Sequence, residues 1–477
     1  MLSRKFAAAV ACGSAAALLV AGCASTSNSA SSPQGSSASL VQISPQPDNK
    51  GQAFLNAIGS AKKTVDIVVY SIGDPQVTAA LVGALKNNVA VRIIVDGYNS
   101  GQNKYNALAV QGIYQAAVAA GVAQPKMQAN FSNTNFNITH QKSLIVDGQP
   151  NSGGNPQLVI STGNFSAFQG KTFWQNRDFE IATTNPNYIS QVQSVFNSDW
   201  SCPDRTVTNN LAQSNPLVWS NGSTGFNQGD PAGSYPLWKP TAAQPNFGYF
   251  MYGHQSDNPV NQGTSRSVQL ALLNGAQKGD VVRVYNEEQA SDDIQKAELN
   301  AIAKGANVQV IETYDTKGKK MANLTALATA GATINVMAPD SVPGALYIHA
   351  KMVSIQPANG GAPSAYVGSS NFSDPSLNDN RELGIQLGAN DADQIAIMNS
   401  AFDTDYKING TSTTGVALAF MMNSTNKGLP IPDGWVPAAV KAGPDPDVPL
   451  VPQDVPNSPT YSACGAIPLT PAPSKKK

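Results

Sequence analysis

Of the three histidines in the chain, two stand in the same local company. His140 is followed two residues later by Lys142, and His349 by Lys351. Each pair precedes a small-residue turn carrying an asparagine: Ser161-Thr162-Gly163-Asn164-Phe165-Ser166, then Gly368-Ser369-Ser370-Asn371-Phe372-Ser373. An acidic block follows each turn, Asn176-Arg177-Asp178-Phe179-Glu180-Ile181 and Asn380-Arg381-Glu382-Leu383-Gly384-Ile385. A lone H-x-K is a weak signal, but matching blocks in the same order, twice, are a strong one. Such residues suit the breaking of a phosphodiester, which needs a nucleophile, an acid for the leaving oxygen and charge stabilisation on the phosphoryl oxygens. Histidine titrates near neutrality without perturbation, so two imidazoles divide the first two tasks, one neutral and one protonated. Lys142 and Lys351 are fixed cations, and Asn164 and Asn371 are neutral donors to the same oxygens. Two lysines do what a divalent cation does elsewhere. The chain has no HxH or HExxH cluster, and neither cofactor nor metal is expected.

At these residues the chain resembles the phospholipase D superfamily, whose signature is HxKxxxxD, a G/S-x-N turn and then an acidic residue. The resemblance spans two halves of one chain. It implies an α/β fold of two pseudo-symmetric repeats, each a mixed β-sheet flanked by helices, with the active site at their interface. It also implies roles. His140 is the nucleophile that forms a phosphohistidine, and His349 protonates the leaving alcohol, then activates water or another alcohol. Asp178 and Glu382 each orient a histidine through its other ring nitrogen. The final signature position is Asp147 in the first copy and departs to Gln356 in the second; both read as supporting positions away from the phosphorus, as do Ser166 and Ser373.

Each H-x-K lies in an apolar run that reads as a buried strand, where period-two alternation puts histidine and lysine on one face. Before the first run the pattern predicts a helix over Gln52 to Ala61, a strand over Thr64 to Tyr70 and a helix opening at Asp74-Pro75. A strand over Val89 to Asp96 and a helix over Lys104 to Ala120 follow. After it come strands at Leu158 to Ser161 and Asp178 to Thr183, then a closing helix that ends in Phe196-Asn197-Ser198-Asp199-Trp200. The second half runs in the same order: strand Asp280 to Tyr285, a helix capped at Ser291, strand Asn307 to Ile311, and a closing helix ending in Phe402-Asp403-Thr404-Asp405-Tyr406. Strands alternating with helices argue for mixed sheets covered by helices, and a repeat this long means two copies of one domain rather than a solenoid.

The predicted organisation is a signal segment over 1–23, a tether over 24–39, repeats over 40–205 and 263–408, an aromatic and Gly/Pro-rich connection over 206–262, and a Pro-rich tail over 409–477. Arg4 and Lys5 precede an apolar run too short to span a bilayer permanently, and Leu19-Val20-Ala21-Gly22-Cys23 resembles a bacterial lipobox. That resemblance implies acylation of Cys23 and a secreted protein anchored to a bacterial membrane. Cys12 would leave with the signal, so Cys202 and Cys464 remain in an oxidising compartment, either as a disulfide pinning the tail or as two thiols. Trp219, Tyr235, Trp238, Phe247, Tyr249, Phe250 and Tyr252 of the connection either pack their own small core or meet a lipid interface. Net charge is −1, with 30 Lys+Arg against 31 Asp+Glu, so the broad basic field of a nonspecific nucleic-acid binder is missing. A phospholipid at a membrane surface is therefore the leading substrate, with water or an alcohol as acceptor and no obligate protein partner. A metal-independent secreted endonuclease and a non-catalytic lipid- or phosphate-binding surface protein are the alternatives.

Overall fold

The computed structural model describes residues 40–97, 100–132, 138–149, 152–167, 171–201, 218–219, 249–252, 264–315, 318–378, 380–426 and 431–435. Cys23, Cys202, Cys464, Tyr235, Trp238, Phe247, His254 and the tether lie outside them. The first repeat opens with β1 (Gln42–Gln46) and α1 (Gln52–Ser60), followed by β2 (Thr64–Val69), α2 (Pro75–Lys86) and β3 (Ala90–Val95). Every residue of β2 and β3 is buried, as a near-continuous apolar run must be when both sheet faces are covered. Asp74 caps α2 by accepting from the amides of Gln76 and Val77 at 2.7 and 3.2 Å, and Pro75 sits where its missing N–H costs nothing. Then come α3 (Ser100–Ala119), β4 (Met127–Phe131), β5 (Ser143–Val146), β6 (Gln157–Ser161), β7 (Asp178–Thr183) and α4 (Pro186–Ser201).

Two short strands lie between the repeats, β8 (Val218–Trp219) and β9 (Tyr249–Tyr252). The second repeat continues with α5 (Ser265–Gly275), β10 (Val281–Tyr285), α6 (Asp292–Ala303), β11 (Asn307–Thr313), α7 (Gly318–Ala330) and β12 (Thr333–Met337). It closes with β13 (Met352–Gln356), β14 (Ser364–Gly368), α8 (Asp374–Asn378), β15 (Leu383–Leu387), α9 (Ala392–Asp405) and β16 (Ala419–Met422). The result is two eight-stranded sheets, ordered β1-β7-β6-β5-β2-β3-β4-β8 and β16-β12-β11-β10-β13-β14-β15-β9. In each, six strands correspond, three parallel and three joined antiparallel to them. Only the edges differ. β1 runs antiparallel to β7 where β9 runs parallel to β15, and β8 runs parallel to β4 where β16 runs antiparallel to β12.

Two expectations need correcting. The expected tail starts too early, because β16 pairs with β12 in the register Ile334↔Met422 and completes the second sheet. The apolar run Ala417 to Met422 covers what would be an open sheet edge. Trp435 beyond it is fully buried, near the rings of Tyr314 and Phe420 at 5.8 and 5.1 Å, and its indole N–H donates to Ala417 O at 2.6 Å. The H-x-K residues also do not lie inside strands. His140 and Lys142 precede β5, and His349 and Lys351 precede β13. There the backbone leaves its own sheet to pair with the opposite repeat.

Three large apolar clusters lie among the described residues. One packs α1, α2 and α3 on the outer face of the first sheet, and another packs α5, α6 and α7 on the second. The third is shared: α4 residues Tyr188, Val192 and Phe196 and α9 residues Ile395, Met398 and Phe402 pack with inner-face residues of both sheets. Phe402 is completely buried there against Tyr285, ring centroids 4.9 Å apart, so truncation to alanine should cost about 3–5 kcal/mol. The repeats are thus halves of one core, and what lies at their seam is held from both sides.

Candidate active site

The seam is built from backbone. His140 N and Gln141 N both donate to Arg381 O, at 2.9 and 2.6 Å, while Arg381 N donates to Ile138 O at 2.9 Å. Reciprocally, His349 N and Ala350 N donate to Arg177 O at 3.1 and 2.7 Å, and Arg177 N donates to Tyr347 O at 2.9 Å. Each H-x-K backbone is therefore clamped by the N-R-acid segment of the other repeat. The two arginines lock the clamp. Arg177 forms a two-bond ion pair with Asp405 at the end of α9, at 2.6 and 2.9 Å, and Arg381 pairs with Asp199 near the end of α4 at 2.7 Å. The neighbours Asp405, Tyr285 and Asp48 outweigh the cost of burial and hold the Arg177 guanidinium above its ordinary value. Sequence reasoning quoted these arginines without assigning them a task; the repeat of N-R before the acid, with an aspartate closing each final helix, was the available signal.

The side chains cross in the same way. His140 Nδ1 lies 3.0 and 3.1 Å from the carboxylate oxygens of Glu382, and His349 Nδ1 lies 2.9 Å from Asp178 Oδ1. Each imidazole thus has Nδ1 fixed by a carboxylate of the opposite repeat, which orients the ring. The shorter Asp178 reaches its histidine as well as the longer Glu382 does. Ser369 Oγ donates to Glu382 at 2.5 Å, Ser376 Oγ donates to its other oxygen, and Asn380 Nδ2 does so at 3.3 Å. Burial pushes the Glu382 carboxyl up, but His140, Lys142 and Ser369 outweigh it and hold it below the usual carboxylate range. Thr162 Oγ1 performs the Ser369 task for Asp178 at 2.6 Å. These hydroxyls in the asparagine turns were missed in the sequence, although Thr162 and Ser369 occupy matching positions two residues before the asparagines.

Lys142, Asn164, Lys351 and Asn371 are all buried at this seam, and Lys351 Nζ reaches Thr162 O of the other repeat at 3.4 Å. With His140 and His349 only 1% and 3% exposed, the centre is screened from water, where fixed charges act strongly. One more residue belongs here that sequence reasoning did not find. Glu287, on the loop leaving β10, places Oε2 3.1 Å from Lys351 Nζ, 3.3 Å from Asn371 Nδ2 and 3.6 Å from His349 Nε2. The register of β10 and β2 against β13 and β5 puts Tyr70 at the corresponding place in the first repeat, where its ring meets His140 edge-on at 5.7 Å. A comparison of the two strand exits, Val69-Tyr70-Ser71 with Asn286-Glu287-Glu288, was the signal available.

The supporting positions lie away from the chemistry. Asp147 accepts backbone N–H bonds from Lys62, Lys63, Thr64 and Asn155 and so staples the turns around β2 and β5. Gln356 does not take that part. Asp280 does, on the neighbouring strand's approach, accepting from Gln277 N at 2.8 Å and Ala358 N at 3.0 Å. The missing signature aspartate is thus replaced by one outside the motif. Ser166 and Ser373 are buried in the asparagine turns; Ser373 O accepts from Leu377 N at 3.0 Å, and the hydroxyl reaching Glu382 is that of Ser376.

Paired imidazoles in crossed carboxylate clamps, at the seam of two repeated mixed sheets, define a phospholipase D-like protein. The family described as cardiolipin synthase, PLD-like domain, matches twice, over residues 54–200 and 270–406, and the chain belongs to that phospholipase D-like family, whose enzymes act on phosphodiester bonds. Among solved structures, phosphatidylserine synthase from Haemophilus influenzae Rd KW20 shares the fold at 13% identity and TM-score 0.52, with 81% of this chain and 89% of that one covered. Nuc from Salmonella typhimurium, a phospholipase D family member, is 23% identical with TM-score 0.27 over 34% of this chain and 95% of its own. Polyphosphate kinase from Porphyromonas gingivalis is 12% identical with TM-score 0.46 over 77% of this chain, which spans 50% of the kinase. No curated protein sequence matches the chain.

Proposed function

We propose that this chain cleaves the headgroup diester of a phospholipid, by hydrolysis or by transfer to an alcohol, at a bacterial membrane to which acylated Cys23 tethers it. The observation that carries the reading is the crossed pair of histidines, each bound at Nδ1 by a carboxylate of the opposite repeat. Neutral His140 Nε2 attacks phosphorus in line, and protonated His349 gives its Nε2 proton to the departing alcohol oxygen, leaving a phosphohistidine. His349, now neutral, takes a proton from water or an acceptor alcohol, which attacks the phosphohistidine and returns His140 to its starting form. Glu382 and Asp178 stabilise the imidazolium that each ring becomes in turn. Lys142, Lys351, Asn164 and Asn371 hold the non-bridging oxygens, where charge grows in the transition state.

Lipid is favoured over nucleic acid because the chain carries a net charge of −1 and only 13% charged residues, and a family described by a lipid-synthesising enzyme agrees. Headgroup release from phosphatidylcholine and phosphatidylethanolamine vesicles in excess chelator, abolished by His140→Ala, is the expected result. Degradation of plasmid DNA with vesicles left intact would overturn the lipid reading. Retained lipid binding without turnover of any diester would overturn catalysis itself. The anchor is read separately: radiolabelled palmitate should enter the wild-type chain and not Cys23→Ala.

A further inference from the structure

The donors assigned above to the phosphoryl oxygens in the second repeat already hold an anion. Glu287 Oε2 is 3.1 Å from Lys351 Nζ and 3.3 Å from Asn371 Nδ2, and its other oxygen accepts from Tyr347 OH at 2.6 Å. A cation, an amide and a hydroxyl converging on two oxygens is the company that a phosphoryl group would keep. His349 Nε2, the atom assigned to proton donation, lies 3.6 Å from the same Glu287 oxygen. The side chain is nearly buried, so it does not sit there as a loosely solvated surface charge.

We propose that Glu287 is a resident competitor for the phosphoryl group: its carboxylate fills the anion position of the second repeat until a diester displaces it. The backbone around it is fixed, so the side chain and not the loop must move. Lys320 Nζ donates to Glu287 O, Glu288 N donates to Asn286 Oδ1 at 2.8 Å, and Gln289 N donates to Glu312 Oε1 at 3.1 Å. Tyr347 is only half-buried and its ring stacks on His349 at 6.1 Å, so the hydroxyl that holds the outer Glu287 oxygen marks the side toward which the carboxylate swings. Two anions do not share one lysine and one amide in a dry site without a large cost. Free phosphate and other small anions, with little else to offer, therefore displace it only weakly. A lipid diester brings further binding surface to the exchange and gains entry. The first repeat has neutral Tyr70 at the corresponding place, so the competitor acts on one half of the site.

This inference rests on the assignment of Lys351 and Asn371 to the phosphoryl oxygens, and it needs neither turnover nor lipid to be tested. Orthophosphate is titrated calorimetrically into the full chain, into Glu287→Gln, which keeps the shape, and into Glu287→Tyr, which copies the first repeat. Affinity at pH 7.5 should rise about tenfold or more in both variants. Unchanged or weaker binding in the folded variants means that Glu287 supports the lysine and does not compete, and the proposal falls. A crystal structure of the unsubstituted protein with orthophosphate is the second reading. Glu287 turned away from Lys351 supports displacement, whereas phosphate bound with that ion pair intact overturns it. A chain that releases no headgroup but binds phosphate more tightly as Glu287→Gln would refute the lipid reading and leave this one standing. Headgroup release with unaltered phosphate affinity would do the reverse.

Discussion

Around His140 and around His349 the backbone is the same to within a few tenths of an ångström in every seam hydrogen bond, yet the side chains facing the reacting nitrogens differ. The first ring meets the edge of Tyr70; the second faces Glu287 and has Tyr347 stacked on it. The carboxylates differ too: among the described residues, Glu382 receives three side-chain donors besides His140 while Asp178 receives Thr162 besides His349. Duplication conserves what closes the seam, because a shift there would open both halves of the shared core. It leaves free what surrounds the two rings, as the proposed division into one nucleophile and one acid would require.

The largest effects should come from the rings. His140→Ala and His349→Ala should each lower kcat by about 10⁴-fold or more on a phospholipid. A p-nitrophenyl phosphodiester separates them, because its leaving group needs no proton. His349→Ala should still give a burst of p-nitrophenol as the phosphohistidine forms, while His140→Ala gives none; rapid-quench kinetics read the difference. Bursts of equal size would mean that the halves are interchangeable.

Next come the crossed carboxylates. Asp178→Asn and Glu382→Gln should each reduce kcat by about 10²–10⁴-fold, since an amide presents the wrong partner to Nδ1. Glu382→Gln should also lower Tm, because two hydroxyl donors arranged for a carboxylate then face an amide; Asp178→Asn, with only Thr162 so placed among the described residues, should lower it less. The Glu382 carboxyl is held below its ordinary value in the folded protein. Its contribution to stability is therefore complete above the unfolded value of about 4.3 and is lost as pH falls through the lower folded value. Thermal melts across the acid range should show a shallower loss in Glu382→Gln, and parallel curves would contradict the linkage.

A smaller effect separates Asp147 from Gln356. Asp147→Ala strands backbone donors of Lys62, Lys63, Thr64 and Asn155 and should cost about 2–4 kcal/mol, whereas Gln356→Ala should change stability by under about 0.5 kcal/mol. Denaturant melts measure both. Comparable losses would show that the glutamine has a task that the geometry around Asp280 does not reveal.

That the histidines, lysines, asparagines and acids belong together was legible in the chain because the same residue types recur at set spacings, and repetition doubled the signal. The helix capped by Asp74-Pro75 was legible from local chemistry; the helix expected at Ser291 does start there, at Asp292, but the Ser291 side chain makes no capping bond. The crossing of Glu382 to His140 and of Asp178 to His349 was not, because either carboxylate could have served its own repeat and only the three-dimensional seam decides. Glu287 was hidden for another reason: it lies outside the motif blocks, on a strand exit whose counterpart is a tyrosine. β16 escaped because a short apolar run beside a proline-dense stretch says nothing of the edge it will cover.

The mildest difference lies one pleat away from the centre. Glu180 follows Asp178 by two residues on β7, and at the matching position of β15 the second repeat has Gly384, where a Cβ would come within 2.1 Å of Tyr366 Oη. The first repeat thus buries a carboxyl where the second fills the space with a ring. Burial pushes the Glu180 carboxyl up to about 8, against the opposing pull of the Phe54 and Ala53 amides at the start of α1. A raised carboxyl means that the folded protein keeps a proton which the unfolded chain releases above about 4.3, so stability declines as pH rises through that window and levels off above the folded value. Glu180→Gln keeps the shape and the acceptor for Phe54 N but has nothing to ionise. Its Tm should lie near the wild type's at pH 5 and exceed it increasingly toward pH 8, by about 4 kcal/mol of stability at the upper end. Activity should not follow, because the side chain reaches α1 and neither histidine; a gap in Tm that stays constant with pH would show that the carboxyl is not the source.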